Sequence, residues 1–340
     1  MKRRFGLMNF VLITLAIFAC TFASTPGAQQ GPSPSPSETT ASVPATIPPT
    51  QPAPPAVLMK PGTYNQKIMS GGTVRAYILH VPPGYDGSQA LPLVFVLHGF
   101  GGNAASMVKL TGFSEKADTE NFFVAYLNGT EVQTSIQDIS GQAWNSGLTP
   151  ELNMTVDDVA FVRDLAGRLE GQLRVDSQRV YAAGFSNGAF MSHRLGADLP
   201  DLLAAVAVVE GTIGLAQPGE PYAEIPKPSG PMPVIIVHGK KDSHVLYDGG
   251  QASAGLGKLN SESVAAAIKF WTTANGCTGT PQTTTSSNGN ILTEDYTGCS
   301  AGTEVLLYTV VNGQHEWPTA DGHTGFSATD AIWDFFSKHP

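Results

Sequence analysis

The pentapeptide Gly184-Phe185-Ser186-Asn187-Gly188 sets a serine between two glycines where a buried-looking run, Val180–Phe185, gives way to an apolar helical pattern. A G-x-S-x-G sequence between strand and helix is the sharp turn that presents a nucleophilic serine. The flanking positions need glycine because a side chain there would clash with the neighbouring strand and helix. Without partners, the same residues are only a tight connection with an incidental serine. A serine hydroxyl attacks a carbonyl only if a base takes its proton, an acid orients that base and fixed donors meet the oxyanion. The chemistry on offer is acyl transfer through a covalent intermediate.

Chain order narrows the partners, since folds with this turn carry serine, then acid, then histidine. Of the eight histidines, His80 and His98 precede the serine, and His193 and His238 precede the best acid. His244, His315, His323 and His339 remain. His315 lies in Val311–Pro318, after the last strand pattern and before the last helix, where a loop overhangs the strand tips. His323 is farther along that loop, and His339 is at the terminus. Asp242 follows the apolar run Val234–Val237 and can accept the His315 Nδ1–H. Asp248, next to Gly249-Gly250, and Glu210, at the end of the preceding strand, are the alternatives.

The oxyanion donors expected are the backbone N–H of Asn187 and an N–H from the glycine-rich turn Leu97–Gly102. Phe100 is the first choice there and Gly101 the second. Trp144, Phe185, Tyr247 and Trp317 are candidate walls of a substrate pocket, although aromatics at strand ends are core packing at least as often. No metal cluster, phosphate cradle or dinucleotide fingerprint points to a cofactor. His98, His238 and His244 read as turn packing.

Strand patterns at 75–82, 91–97, 122–127, 180–185, 203–209, 234–237 and 305–311 alternate with helical ones at 157–169, 186–197, 261–273 and 328–338. Gly71-Gly72 marks a hairpin, and Asp157 or Asp158 can cap the first of these helices. Such alternation predicts an α/β fold with a mainly parallel, doubly wound sheet and its site at the carboxyl ends of the strands. The Gly/Pro-rich segment 212–231 is expected to cap one side of the cleft.

Residues 59–340 suit a single catalytic domain. Residues 1–23 read as an export signal, with Lys2-Arg3-Arg4 before an apolar run too short for a comfortable membrane span. Ile17-Phe18-Ala19-Cys20 resembles a lipobox, with Phe18 in place of the usual small residue, so lipidation at Cys20 and simple cleavage near Ala23 or Ala28 both stay open. Residues 24–58, rich in Pro, Ser and Thr, read as a disordered linker. The expected location is secreted or periplasmic, with a lipid anchor as the one route to a membrane. A net charge of −9, more negative without the basic leader, argues against nucleic-acid partners. Apart from Cys20, the cysteines are Cys277 and Cys299, and in an exported chain such an even pair reads as a disulfide.

Taken together, Leu97–Gly102, Trp144-Asn145, Asp157–Phe161, Gly184–Gly188, His238-Gly239-x-x-Asp242, Cys277/Cys299, His315-x-Trp317-Pro318 and Ile332–Phe336 resemble the polyhydroxybutyrate depolymerase-like esterases. That group overlaps with feruloyl and acetylxylan esterases. Gln314 departs from the glycine expected before the histidine. The resemblance implies an α/β-hydrolase fold, carboxylic ester hydrolysis by Ser186, Asp242 and His315, and a Cys277–Cys299 disulfide. The chain ends just past its last helix pattern, where dedicated polyester depolymerases often append a surface-adsorbing module. The expectation is therefore a monomeric enzyme acting on feruloyl or acetyl esters of plant polysaccharide, with polyhydroxyalkanoate esters as the alternative. A peptidase of the same fold would need to recognise a peptide amine, and this sequence shows no acidic pair placed for that. A non-catalytic glycan binder would have no use for an intact set of catalytic groups.

Overall fold

The computed structural model describes residues 59–133, 140–149, 154–254 and 259–340. Residues 1–58, read from the sequence as an export signal and a linker and including Cys20, lie outside the described residues. The chain opens with the hairpin β1 (Gly62–Ser70) and β2 (Thr73–Val81), turned by Gly71 and Gly72 at φ 54° and 77°. There follow β3 (Leu91–Leu97), α1 (Ala104–Thr111), α2 (Phe113–Glu120) and β4 (Phe123–Leu127). The small hairpin β5 (Thr130–Gln133) and β6 (Ser140–Ala143) precedes α3 (Asp158–Glu170), β7 (Val175–Phe185), α4 (Asn187–Asp198) and β8 (Ala205–Val209). Short strands β9 (Gly214–Ala216) and β10 (Ala223–Glu224) lead to β11 (Val234–Gly239). The remainder is β12 (Gly250–Gln251), β13 (Asn260–Ser261), α5 (Val264–Ala274), β14 (Gln282–Thr285), β15 (Ile291–Tyr296), β16 (Val305–Val310) and α6 (Ala328–Phe336).

Among the described residues, ten strands form one sheet in the order β1-β2-β4-β3-β7-β8-β11-β16-β15-β14. Its centre, from β4 to β16, is parallel, and antiparallel hairpins extend both edges. Alternation along β3 shows how both faces become core. Leu93, Phe95 and Leu97 pack with Leu165 of α3, Leu195 of α4 and Trp271 of α5. Val94 and Val96 face the other way, toward Met107 of α1, Phe113 of α2 and Phe336 of α6. Helices on both faces make the sheet doubly wound, and its central strands are apolar throughout because neither side meets water.

The cap on α3 is Asp157, whose side chain accepts from the Ala160 N–H. Asp158 turns inward instead. It is buried against Arg75, with Nη2 2.6 Å from Oδ1, and its other oxygen accepts the Asn145 N–H at 2.7 Å. Arg75 also lies 4.0 Å above the Phe161 ring. This buried pair fastens the loop carrying Trp144 and Asn145 to β2. A disulfide joins Cys277 and Cys299 across 22 residues. Among the described residues no helix is long and apolar enough to cross a membrane.

Candidate active site

The serine turn follows directly from the ladder. β7 runs between β3 and β8, and the chain reverses into α4 through Ser186, held at φ 54° and ψ −117°. Its N–H donates to the Val209 carbonyl at 2.9 Å. A Cβ on Gly184 would lie 2.0 Å from the Gly188 carbonyl oxygen, and one on Gly188 would lie 2.4 Å from that of Leu97. Neither approach tolerates a side chain, so the glycines allow the strained serine conformation.

His315 sits in the loop between β16 and α6, and Asp242 in the loop after β11. Ser186 Oγ is 2.9 Å from His315 Nε2, and His315 Nδ1 is 2.8 Å from Asp242 Oδ2. Asp242 Oδ1 accepts the backbone N–H groups of His244 and Val245 at 2.7 and 3.0 Å. Burial pushes the Asp242 pKa up, but the neighbouring His238 N–H and the hydrogen bond from His315 outweigh it and hold the carboxyl well below the usual range. A carboxylate donor-bound on both oxygens keeps the Nδ1–H tautomer of His315 and leaves Nε2 free to accept from the serine.

The competing residues are occupied elsewhere. Asp248 is exposed in a turn closed by the Gly249 N–H on the Leu246 carbonyl. His323 contacts the Asn312 carbonyl at the surface, and His339 pairs with Glu304. His98 donates from Nδ1 to the Gly99 carbonyl and accepts the Gly129 N–H at Nε2. Burial lowers its pKa to about 4, so it is a neutral fastener of the loop.

The glycine-rich turn separates Phe100 from Gly101. The Gly101 N–H is spent on the Gln142 carbonyl at 2.8 Å, which leaves Phe100 as the donor candidate from this loop. Asn187 is the first residue of α4, where N–H groups lack intrahelical acceptors and the helix dipole favours negative charge. Its side chain is buried, with Oδ1 accepting the Trp144 N–H at 2.7 Å. A Cβ on Gly99 would meet Phe185 Cδ1 and Ser186 Cβ at 3.2 Å each, so glycine lets this loop close onto the nucleophile.

A cavity of about 350 Å³ opens at Ser186. It is lined by Gly99, Phe100, Phe185, His244 and His315 together with Phe190, Leu215, Val245, Ala252, Ala254, Leu259 and Ser261. Of the four aromatic residues expected as walls, only Phe185 lines it. Trp144 is fully buried with Nε1 donating to the His98 carbonyl, so it supports the loop from behind. Trp317 packs edge-on against Phe113 and donates to Thr329 Oγ1, in the core beneath α6. Tyr247 is tied to Thr309 and stands edge-on to the His238 ring. Each indole or phenol found a buried hydrogen-bond partner, which drew it inward. Sequence reasoning did not find Leu215, Leu259 or Ser261. They belong to a small sheet, β10-β9-β13-β12, and its margin, and its two- and three-residue strands carry no readable period. Within segment 212–231 it is Leu215 that reaches the cavity.

Among the described residues, two groupings bring nitrogen and oxygen atoms within 4.8 Å of one another, Asp242/His244/His315 and Glu210/His238/Asp242. In both, Asp242 is already held by His315 and two backbone N–H groups, and both ring nitrogens of His315 are engaged. The sets read as hydrogen-bonded relays.

Residues 75–220 match the family model described as esterase PHB depolymerase. Feruloyl esterase B of Piromyces equi is 32% identical over 265 residues, 78% of this chain, which spans only 45% of that protein's length. A protein of Nocardia uniformis subsp. tsuyamanensis assigned as an esterase is 32% identical over 75% of this chain and 74% of its own. Feruloyl esterase C of Emericella nidulans is 29% identical over 81% of this chain and 90% of its own. Solved structures share the fold. An acetyl xylan esterase from Aspergillus awamori aligns at TM-score 0.54 and 14% identity over 81% of this chain and 99% of its own. A ferulic acid esterase from Anaeromyces mucronatus, in complex with ferulic acid, aligns at 0.53 and 15% over 83% and 92%. With its elbow, sheet order and relatives in agreement, the chain belongs to the polyhydroxybutyrate depolymerase-like and feruloyl esterase family of carboxylic ester hydrolases, on the α/β-hydrolase fold.

Proposed function

We propose that this hydrolase cleaves feruloyl or acetyl esters of plant polysaccharide by a two-step acyl transfer, with Ser186, His315 and Asp242 as its triad. The observation that carries the reading is the continuous relay from Ser186 Oγ through His315 to Asp242, at 2.9 and 2.8 Å, opening onto a largely apolar cavity. Ser186 gives its proton to His315 Nε2 as Oγ attacks the ester carbonyl, and the Phe100 and Asn187 amides hold the oxyanion. His315 then protonates the leaving alcohol. Water repeats the steps and frees the acid. Among the acyl groups, the cavity favours feruloyl, because a two-carbon acetyl would leave most of about 350 Å³ empty. The feruloyl esterases among the relatives support the same choice.

A polyhydroxyalkanoate ester is the second reading, favoured by the family model's description. Export belongs to the proposal as well. It is supported by the disulfide and the basic-apolar leader, with lipidation at Cys20 and simple cleavage near Ala23 or Ala28 as its two routes.

The test is hydrolysis of methyl ferulate, p-nitrophenyl acetate and a hydroxybutyrate oligomer by the protein and its Ser186→Ala variant. Ferulate turnover lost in the variant supports the proposal. Preference for the oligomer moves it to polyester, and turnover surviving in the variant removes Ser186 as nucleophile.

A further inference from the structure

Behind the triad lies a second carboxyl group that the acyl-transfer scheme does not use. Glu210 follows β8 at φ 54°, a left-handed conformation that a glutamate adopts only when its surroundings hold it there. Its N–H donates to the Val237 carbonyl at 3.0 Å, and its side chain is fully buried. Oε1 accepts the Gly239 N–H at 2.9 Å. Oε2 has no hydrogen-bond partner among the described residues, although it lies 3.3 Å from His238 Nε2. That nitrogen must carry its proton to donate to the Val245 carbonyl at 2.8 Å. It is also 3.5 Å from Asp242 Oδ2, and the oxygen atoms of Glu210 and Asp242 belong to one set within 4.8 Å.

We propose that Glu210 is a positioning residue of the triad: a neutral carboxylic acid whose O–H donates to Asp242 and braces that carboxylate against His315. The proposal rests on the triad reading above. Two carboxylates this close in a dry site do not both ionise, and the proton stays where fewer donors stabilise the charge. Asp242 accepts from the His244 and Val245 amides and from His315 Nδ1, whereas Glu210 accepts from the Gly239 amide alone. The groups facing Glu210 agree. His238 comes from β11, Asp242 from the loop after it and Glu316 from the loop after β16, while on its other side His238 faces His193 of α4. None is a lysine or arginine. Burial first, and then the Asp242 carboxylate, hold the Glu210 pKa well above the usual value. Asp242 thus keeps a single negative charge for the imidazolium that forms at His315.

Glu210→Ala and Glu210→Gln test the assignment. The alanine variant is expected to lose about 10- to 100-fold in kcat as Asp242 drifts from its angle on His315, and the glutamine variant to restore most of it. Glutamine can donate to Asp242 as the protonated acid does while its carbonyl keeps the Gly239 N–H. The acid limb of the kcat/KM profile should coincide in wild type and Glu210→Gln. A limb displaced by about one pH unit or more, or wild-type kcat in Glu210→Ala, overturns the proposal. Infrared difference spectra, wild type minus Glu210→Gln at pH 7, should contain the carbonyl band of a protonated carboxylic acid, and its absence overturns the proposal too. This spectrum needs no substrate, so it stands apart from any failure of the ester reading and decides the matter if Glu210→Ala does not fold.

Discussion

Asp242→Asn should stop turnover by reversing one proton, and the surroundings of Asp242 dictate which way its amide must lie. The side of Oδ1 faces two backbone donors, the N–H groups of His244 and Val245. An amide NH₂ cannot sit there, so the carbonyl oxygen of the asparagine takes that place. The NH₂ is left facing His315 Nδ1, 2.8 Å away, and that nitrogen must become an acceptor. The imidazole proton moves to Nε2, where it points at Ser186 Oγ and can no longer receive a proton from it. With folding intact, inversion of the tautomer costs about 10⁴ in kcat, or about 5 kcal/mol of barrier. Steady-state kinetics on p-nitrophenyl acetate, paired with circular dichroism and a melting curve, separates this loss from unfolding. A decrease smaller than about tenfold would refute the argument, since general-base catalysis alone contributes about 10²–10⁴. The acid would then have to be sought at Glu210, through the double variant with Glu210→Gln.

Other consequences can be checked alongside. Gly141→Ala would set a Cβ 2.8 Å from Gly101 Cα at a backbone φ of 145°; by displacing the Phe100 amide it should lower kcat about 10- to 100-fold with little change in KM. Replacing Cys277 and Cys299 together by serine removes a 22-residue constraint, and should cost about 3 kcal/mol or roughly 5–10 °C in Tm while leaving kcat alone. The raised pKa of Glu210 makes its contribution to stability complete below the ordinary value of 4.5 and progressively smaller as pH rises toward the folded value, because there the unfolded chain releases a proton that the folded one keeps. Urea midpoints at pH 4 and pH 8 should therefore fall more in wild type than in Glu210→Gln, and parallel shifts in the two proteins would exclude a raised Glu210.

The central strands were legible because burial on both faces writes continuous apolar runs, and the glycines of the serine turn because nothing else fits between Leu97 and Gly188. The loops that carry Asp242 and His315 could be found from chain order. The strands β14 and β15 could not. Gln282–Thr285 is exposed throughout and Ile291–Tyr296 half-buried at every position, so neither alternates. The far wall of the cavity was invisible for a related reason, being assembled from fragments of two and three residues joined only by tertiary pairing. Trp144 and Trp317 show the limit of composition. An aromatic beside a strand tip looks the same in sequence whether its ring meets a ligand or, as here, a buried acceptor.

The candidate proton relay hangs from the ten-stranded sheet, whereas Leu215 and Ser261 of the cavity lining stand on the separate four-stranded one. One part of the candidate pocket and the candidate relay are therefore carried on different scaffolds. Exchanges along β9 and β13 can reshape the room for an acyl group without altering the register that sets serine, histidine and aspartate. A chain built this way can vary its acyl pocket by exchanges in the small sheet while the strands that hold the candidate relay stay as they are.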